Sequence, residues 1–199
     1  MVEERRSRLL WYAAAILVVA VVGQQWHFGY ERLGATPFLA WLFPTNESSF
    51  EHAKLAVFTM PLIVVAIRLI DRRRGVSLVC AYAASVLTAV VIQQGGFHLF
   101  YAILGGHNLV ITITLFVLGQ IAACLVAIQV AWRLDSWNWR RVVMVALAAI
   151  HVAGIIVSTY VPPHWPIYYD TEAEAYGLDA ARYQLEHDHD EATTPIRDS

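Results

Sequence analysis

Ten consecutive residues, Thr45-Asn46-Glu47-Ser48-Ser49-Phe50-Glu51-His52-Ala53-Lys54, combine two carboxylates, an imidazole, an amide, hydroxyls and the one lysine among fourteen basic residues. An apolar run long enough to enter a membrane follows at once. Charged groups at a membrane boundary are costly unless solvated, paired or in use. Imidazole and carboxylate together suit a divalent metal such as zinc, which takes three protein ligands and leaves a position for water in a catalytic site. His27, His52, His98, His107 and His164 are the candidate ligands. Glu47 and Glu51 are candidates for a further ligand or for the base that takes a proton from bound water, and Ser48 stands beside them. Ser48-x-x-Glu51 also has the form of a capping box at a helix start, and both glutamates complement the positive end of the helix dipole. That structural role leaves His52 and Lys54 unexplained.

The elements that position these residues follow from hydropathy. The chain of 199 residues is 58% hydrophobic and 15% charged, with a mean hydropathy of +0.50. Soluble domains are nearer one-quarter charged, so the composition indicates an all-α polytopic membrane protein. Apolar runs of about twenty residues, the length that crosses hydrocarbon, begin near Leu9, Phe50, Val76, His107 and Val142. They predict a bundle of five transmembrane helices over residues 1–161. A cleaved signal peptide is the rival reading of the first run. However, Ala20, Gly23, Gln24, His27 and Glu31 share one helical face, a stripe that a discarded peptide does not need. Two shorter apolar pieces, Thr36 to Pro44 and Phe97 to Leu104, are expected in the interface on the outer side. Residues 162–177 are expected to pack on the bundle, and 178–199 to form a polar tail, a short helix giving way to disorder. Within that tail, His187-Asp188-His189-Asp190 reads as solvated polar sequence. Cys80 and Cys124 lie inside apolar runs and form no disulfide framework. The stripes Ala81, Ala84, Ser85, Thr88 and Asn108, Thr112, Gly119, Ala123 read as packing seams.

Arginine gives the orientation. Arg5, Arg6, Arg8, then Arg72 to Arg74, then Arg133, Arg140 and Arg141 fall on one side of a five-crossing chain. The positive-inside rule makes that side cytoplasmic, with the N-terminus inside and the C-terminus outside the cell (cytoplasmic) membrane. His27, His52, His98, His107 and His164 then end or begin crossings on the outer side, with Glu31, Glu47, Glu51 and Asp170. His151 is near mid-membrane. The arginines mark helix ends and form no nucleic-acid patch, so the expected partners are the bilayer and a lipid-like or small-molecule substrate.

Three stretches carry a resemblance: His27-Phe28-x-Tyr30-Glu31; Asn46-Glu47-Ser48-x-Phe50-Glu51-His52-x-Lys54; and Pro162-Pro163-His164-x-Pro166-x-x-Tyr169-Asp170 with Tyr176-Gly177. With them the chain resembles an uncharacterised family of small bacterial multi-pass membrane proteins, the domain of unknown function 6512. The resemblance implies a membrane location and supplies no activity. Ser48-x-x-x-His52 gives a second, weaker likeness, to membrane hydrolases of the ceramidase and progestin-receptor type. Those add a later His-x-x-x-His, which this chain lacks. The leading expectation is a metal-dependent hydrolase acting on a lipid or envelope compound. Other readings use the same residues. One is a small transporter or proton-coupled carrier with His151, His27, Gln24 and Gln93 along a polar path. Another is haem held by two of His27, His98 and His107. The last is a non-enzymatic assembly protein contacting partners through Trp165 to Tyr169.

Overall fold

The structure is a computed structural model that describes residues 2–73, 75–106, 108–134 and 136–193. It is all-α apart from one two-stranded hairpin. Five helical stretches are long and apolar enough to cross a membrane: Glu3–His27, Ala53–Ile70, Val76–Leu104, Leu109–Arg133 and Trp139–Tyr160. In chain order the α-helices are α1 (Val2–His27), α2 (Gly29–Arg32), α3 (Ala53–Ile70), α4 (Val76–Val90), α5 (Gly96–Leu104), α6 (Leu109–Arg133), α7 (Trp139–Tyr160) and α8 (Gly177–Thr193).

α3 is the central helix. Ala53, Ala56, Met60, Ile63 and Ile67 recur at three- and four-residue spacing and are fully buried against neighbours from α1, α4 and α6. Pro61 lies inside it and cannot donate to the carbonyl of Val57, four residues back. The Tyr82 hydroxyl of α4 supplies the missing donor at 3.0 Å. In lipid an orphaned carbonyl has no water to turn to, so such a substitute is needed. α4 and α6 pack on small residues, Ala81, Ser85 and Ala89 on one side and Ala123, Cys124, Ala127 and Ala131 on the other, all at 0% exposure. Small side chains let helix backbones approach closely where no hydrophobic force drives association. Of the stripe read on the fourth crossing, Asn108 is instead the exposed N-cap of α6 and Thr112 lines a cavity. Tyr12 and Val19 of α1 are buried in the same core, so the first apolar run is an integral helix of the bundle.

The helix ends are set by local chemistry. Asn108 Oδ1 accepts from Ile111 N and Asn138 Oδ1 from Arg141 N, each at 3.1 Å, as N-caps do. At the arginine-rich end of the bundle, the Asp71 carboxylate accepts from Tyr12 Oη and from Trp132 Nε1. Arg8 Nη1 approaches it at 3.4 Å. One acid thus ties α1, α3 and α6 together.

The third crossing differs from expectation. Phe97 to Leu104 is not a separate piece after Gly95-Gly96. The helix continues through a π-helical turn at Val91–Gly95 into α5. Glycine lacks the side chain, not the hydrogen-bonding capacity, so a helix buried on neighbours carries through it. Thr36 to Pro44 is short and irregular, as anticipated, with a 3₁₀ turn at Pro37–Leu39. The chain after the fifth crossing forms the hairpin β1 (Tyr169–Asp170) and β2 (Ala175–Tyr176), then α8. The tail is therefore helical to Thr193, and Ala180 and Ala181 are buried; Ala181 packs with Tyr30, Ala40 and Phe43. The His187 to Asp190 side chains lie outside the described atoms.

Candidate metal centre

The loop from Thr45 to His52 is held by a buried ion pair. Lys54 Nζ, at 0% exposure, donates to Glu51 Oε2 at 2.5 Å, to Ala40 O at 2.7 Å and to Phe43 O at 3.1 Å. Three donors meet three acceptors, the full capacity of an ammonium. Glu51 Oε2 also accepts from Thr45 N and Thr45 Oγ1, both at 2.9 Å, and Thr159 Oγ1 of α7 reaches Oε1 at 3.1 Å. Glu51 is thus enclosed, and every bond it makes fastens the loop. Ser48 is buried too. Its Oγ accepts from Glu51 N at 3.4 Å, which is one half of the capping box; the reciprocal half is absent, because Glu51 turns to Thr45. Glu51 and Ser48 thus both make hydrogen bonds that hold the loop.

The hairpin beyond α7 fixes the loop from the other side. Asp170, fully buried, accepts from Glu47 N at 2.8 Å, and its second oxygen accepts from Glu172 N and Ala173 N. Asn46 Nδ2 donates to Gly177 O at 3.0 Å while Asn46 Oδ1 accepts from Ser48 N. Gly177 has φ +55°, and a Cβ there would lie 2.9 Å from Pro162 Cγ, so glycine is the residue that fits. Gly29 is similar: its missing Cβ leaves room for the Phe43 ring, 2.2 Å from where that atom would be.

Glu47 itself points away from this lattice. Its side chain is 41% exposed and lies between two imidazoles, with His27 Nε2 at 3.3 Å and His52 Nε2 at 3.4 Å. The two rings are stacked with centroids 5.1 Å apart. Ligand atoms of His27, Glu47 and His52 all lie within 4.8 Å of one another. Each imidazole meets a different Glu47 oxygen, His27 facing Oε1 and His52 facing Oε2; a tetrahedral zinc with bonds of about 2.0–2.1 Å has ligand-to-ligand edges of about 3.3–3.4 Å, so the group must draw together around an ion. His52 Nδ1 is 2.9 Å from Ser48 O. A carbonyl only accepts, so Nδ1 carries a proton; Nε2 donates to Glu47 when the ring is an imidazolium, and its lone pair becomes available to a metal once that second proton leaves. An imidazole oriented by a backbone carbonyl on its far nitrogen is the usual outer-shell arrangement of a metal-binding histidine. Burial would push the Glu47 carboxyl up, but hydrogen bonds and charge from His27 and His52 hold it well below the usual carboxylate range. Burial likewise opposes the charged form of His52, and Glu47 outweighs it, so the imidazole lies above its ordinary 6.5.

The three residues stand at the edge of a cavity of about 770 Å³, within the range of small-molecule sites. Leu55, Phe97, Tyr101, Ile113, Leu115 and Phe116 give it apolar walls; Gln24 and Gln93 add polar groups. Phe116, on α6, also approaches Gly23 of α1, where a Cβ would lie 3.1 Å from its ring. His27, Phe28 and Glu47 also line a separate pocket of about 60 Å³, with Glu31 and with Leu185 of α8.

The other expected ligands are distributed differently. His98 lines the same cavity, but its Nε2 is 3.2 Å from Ser49 Oγ, and it is not in the group around Glu47. The His164 ring packs on Tyr176 at 4.7 Å, outside that group. His107 lies outside the described residues. His151 faces the Phe50 ring and does not line the cavity, although Gln24, His27 and Gln93 do. Of the two shorter apolar pieces, Phe97 to Leu104 contributes Phe97 and Tyr101 to the cavity, whereas Phe43 of the other packs with Tyr30. Ser49 and Gln94 also line the cavity; the only signals for them in the sequence are a place inside the charged block for Ser49 and a place before the glycine pair for Gln94.

No curated protein and no solved structure matches the chain. The three stretches of sequence that now prove to form the ion pair, its hairpin clasp and the His–Glu–His cluster fall within one match to a family of unknown function, covering residues 1–178, and the chain belongs to that family, DUF6512.

Proposed function

We propose that this protein is a multi-pass membrane protein whose His27, Glu47 and His52 hold a zinc ion and hydrolyse a lipid-like substrate. Its site end would face the outer leaflet of the cell membrane. The observation that carries the reading is the approach of two imidazole nitrogens and one carboxylate to each other at the edge of a large apolar cavity. Zinc on these ligands would retain one open position, and a water there ionises near neutral pH. Glu47 has a second oxygen to receive that water's proton. An acyl chain fits the Phe97, Ile113 and Phe116 walls. The carbonyl or phosphoryl group at its head would then meet the activated water, which adds to that centre as the alcohol or amine leaves with a proton.

A carboxylate between two imidazoles could equally be a proton-linked ion pair with no metal. Metal content separates the two. Purified in detergent without chelator, the wild type is expected to carry about one zinc per chain, and His52→Ala and Glu47→Gln to carry none. A wild type that is metal-free and takes up no added zinc would overturn the reading.

A further inference from the structure

The metal centre does not account for Ser49 and His98, which line the same cavity. Ser49 Oγ lies 3.2 Å from His98 Nε2 and 3.3 Å from the backbone carbonyl of Ile167. Three elements converge to hold it there. Phe50 N donates to Ile167 O at 3.1 Å, fixing the loop to the segment before the hairpin. Gln94 Nε2, on the π-helical turn, donates to the Ser49 carbonyl. His98 follows one turn later on α5. π-turns inside helices are frequent at functional sites. This one brings Gln94 onto the backbone of Ser49 while His98 meets its hydroxyl. Neither side chain is fully buried, so both face space that a ligand can fill.

We infer that Ser49 and His98 form a nucleophile and base that act on long-chain acyl esters bound in the cavity. The inference rests on the cavity as the substrate site and not on the metal. A hydroxyl is a weak nucleophile until a base within hydrogen-bond reach takes its proton. With His98 carrying its proton on Nδ1, Nε2 accepts from Ser49. Oγ attacks the ester carbonyl carbon and its proton passes to Nε2. The carbon–oxygen bond to the alcohol breaks, and the alcohol leaves with that proton. Water then adds to the acyl-Ser49 carbonyl and gives a proton to Nε2. Expulsion of Oγ, reprotonated by His98, releases the fatty acid. The Ile167 carbonyl competes for the hydroxyl proton. In that alternative state His98 Nε2–H donates to Oγ, and the serine is at rest.

A long-chain alkyl fluorophosphonate tests this directly, because its chain matches the apolar walls and its phosphorus reports an activated serine. Oγ would bond to phosphorus and fluoride would depart, with the proton taken by His98. The purified full chain is treated with the probe, digested and mapped by mass spectrometry. One adduct on Ser49 is expected, absent in Ser49→Ala and formed at least about a hundredfold more slowly in His98→Ala. It should persist after chelator treatment. Labelling of Ser49 with no zinc in the wild type would leave this inference standing and remove the metal reading. No adduct on Ser49 of the wild type under excess probe, or equal rates in wild type and His98→Ala, would overturn it.

Discussion

At the scale of single residues, Glu47 and His52 shift each other's proton affinity in opposite directions, and the consequences have definite signs. The His52 imidazole is raised above 6.5 in the folded protein. Its pairing therefore stabilises the fold fully below pH 6.5 and is lost as pH climbs through the raised value. The Glu47 carboxyl is lowered below 4.5, so its contribution is present above 4.5 and lost as pH falls. Without metal the pair is strongest between these two ordinary values, with solvent screening part of it because Glu47 is 41% exposed. Zinc reverses the preference, since it binds the neutral imidazole and expels the proton. Zinc affinity is accordingly expected to rise about tenfold per pH unit across 6.5 while His52 still holds its proton, measured by competition with a chelator between about pH 5.5 and 8. A flat profile would mean that His52 is not a ligand. In Glu47→Gln the His52 titration seen by NMR should move down. The sequence made His27, Glu47 and His52 legible as candidates because their types are costly at a membrane edge. It could not separate Glu47 from Glu51, since which carboxylate turns inward depends on Thr159 and Ala40, distant in the chain.

At the scale of elements, the site depends on a loop clamped between α3 and the hairpin. Lys54→Met leaves Glu51 charged and unpaired in the interior, an expected loss of about 3–5 kcal/mol, visible as a lower thermal midpoint in detergent. Replacing both, Glu51→Gln with Lys54→Met, should cost less than that single change. Equal melting of Lys54→Met and wild type would show that the clamp is dispensable. Tyr82→Phe removes the donor that serves Val57 opposite Pro61, and about 1–3 kcal/mol of stability with it. Helix existence was readable from hydropathy; of the small-residue stripes, Ala81, Ser85 and Ala123 are buried in the core between the helices, whereas Asn108 and Thr112 are not. The joining of Phe97–Leu104 to the third crossing was not readable, because a glycine pair marks a break only if no neighbour supports the helix across it.

At the scale of the whole molecule, five membrane-length helices place the first residues and α8 at opposite ends of the bundle. The arginines gather at the end held by Asp71, and the His–Glu–His cluster, the cavity and the hairpin gather at the other. In a background lacking Cys80 and Cys124, an impermeant maleimide should label Asp179→Cys in intact cells, and Glu3→Cys only after lysis. The reverse pattern would put the cavity on the cytoplasmic side. Charge and hydropathy disclosed this division of the molecule into two ends. They did not disclose the cavity, because its lining comes from residues far apart in the chain, among them Gln24, His52, Phe97, Phe116 and Tyr176. The central claim is that this space has a metal at its edge. X-ray absorption at the zinc edge of the loaded protein is the most direct measurement. The account predicts two imidazole nitrogens and one carboxylate oxygen at about 2.0–2.1 Å, plus one water oxygen, with one imidazole lost in His27→Ala and one in His52→Ala. A spectrum unchanged by either substitution, or one with no imidazole scattering, would contradict it.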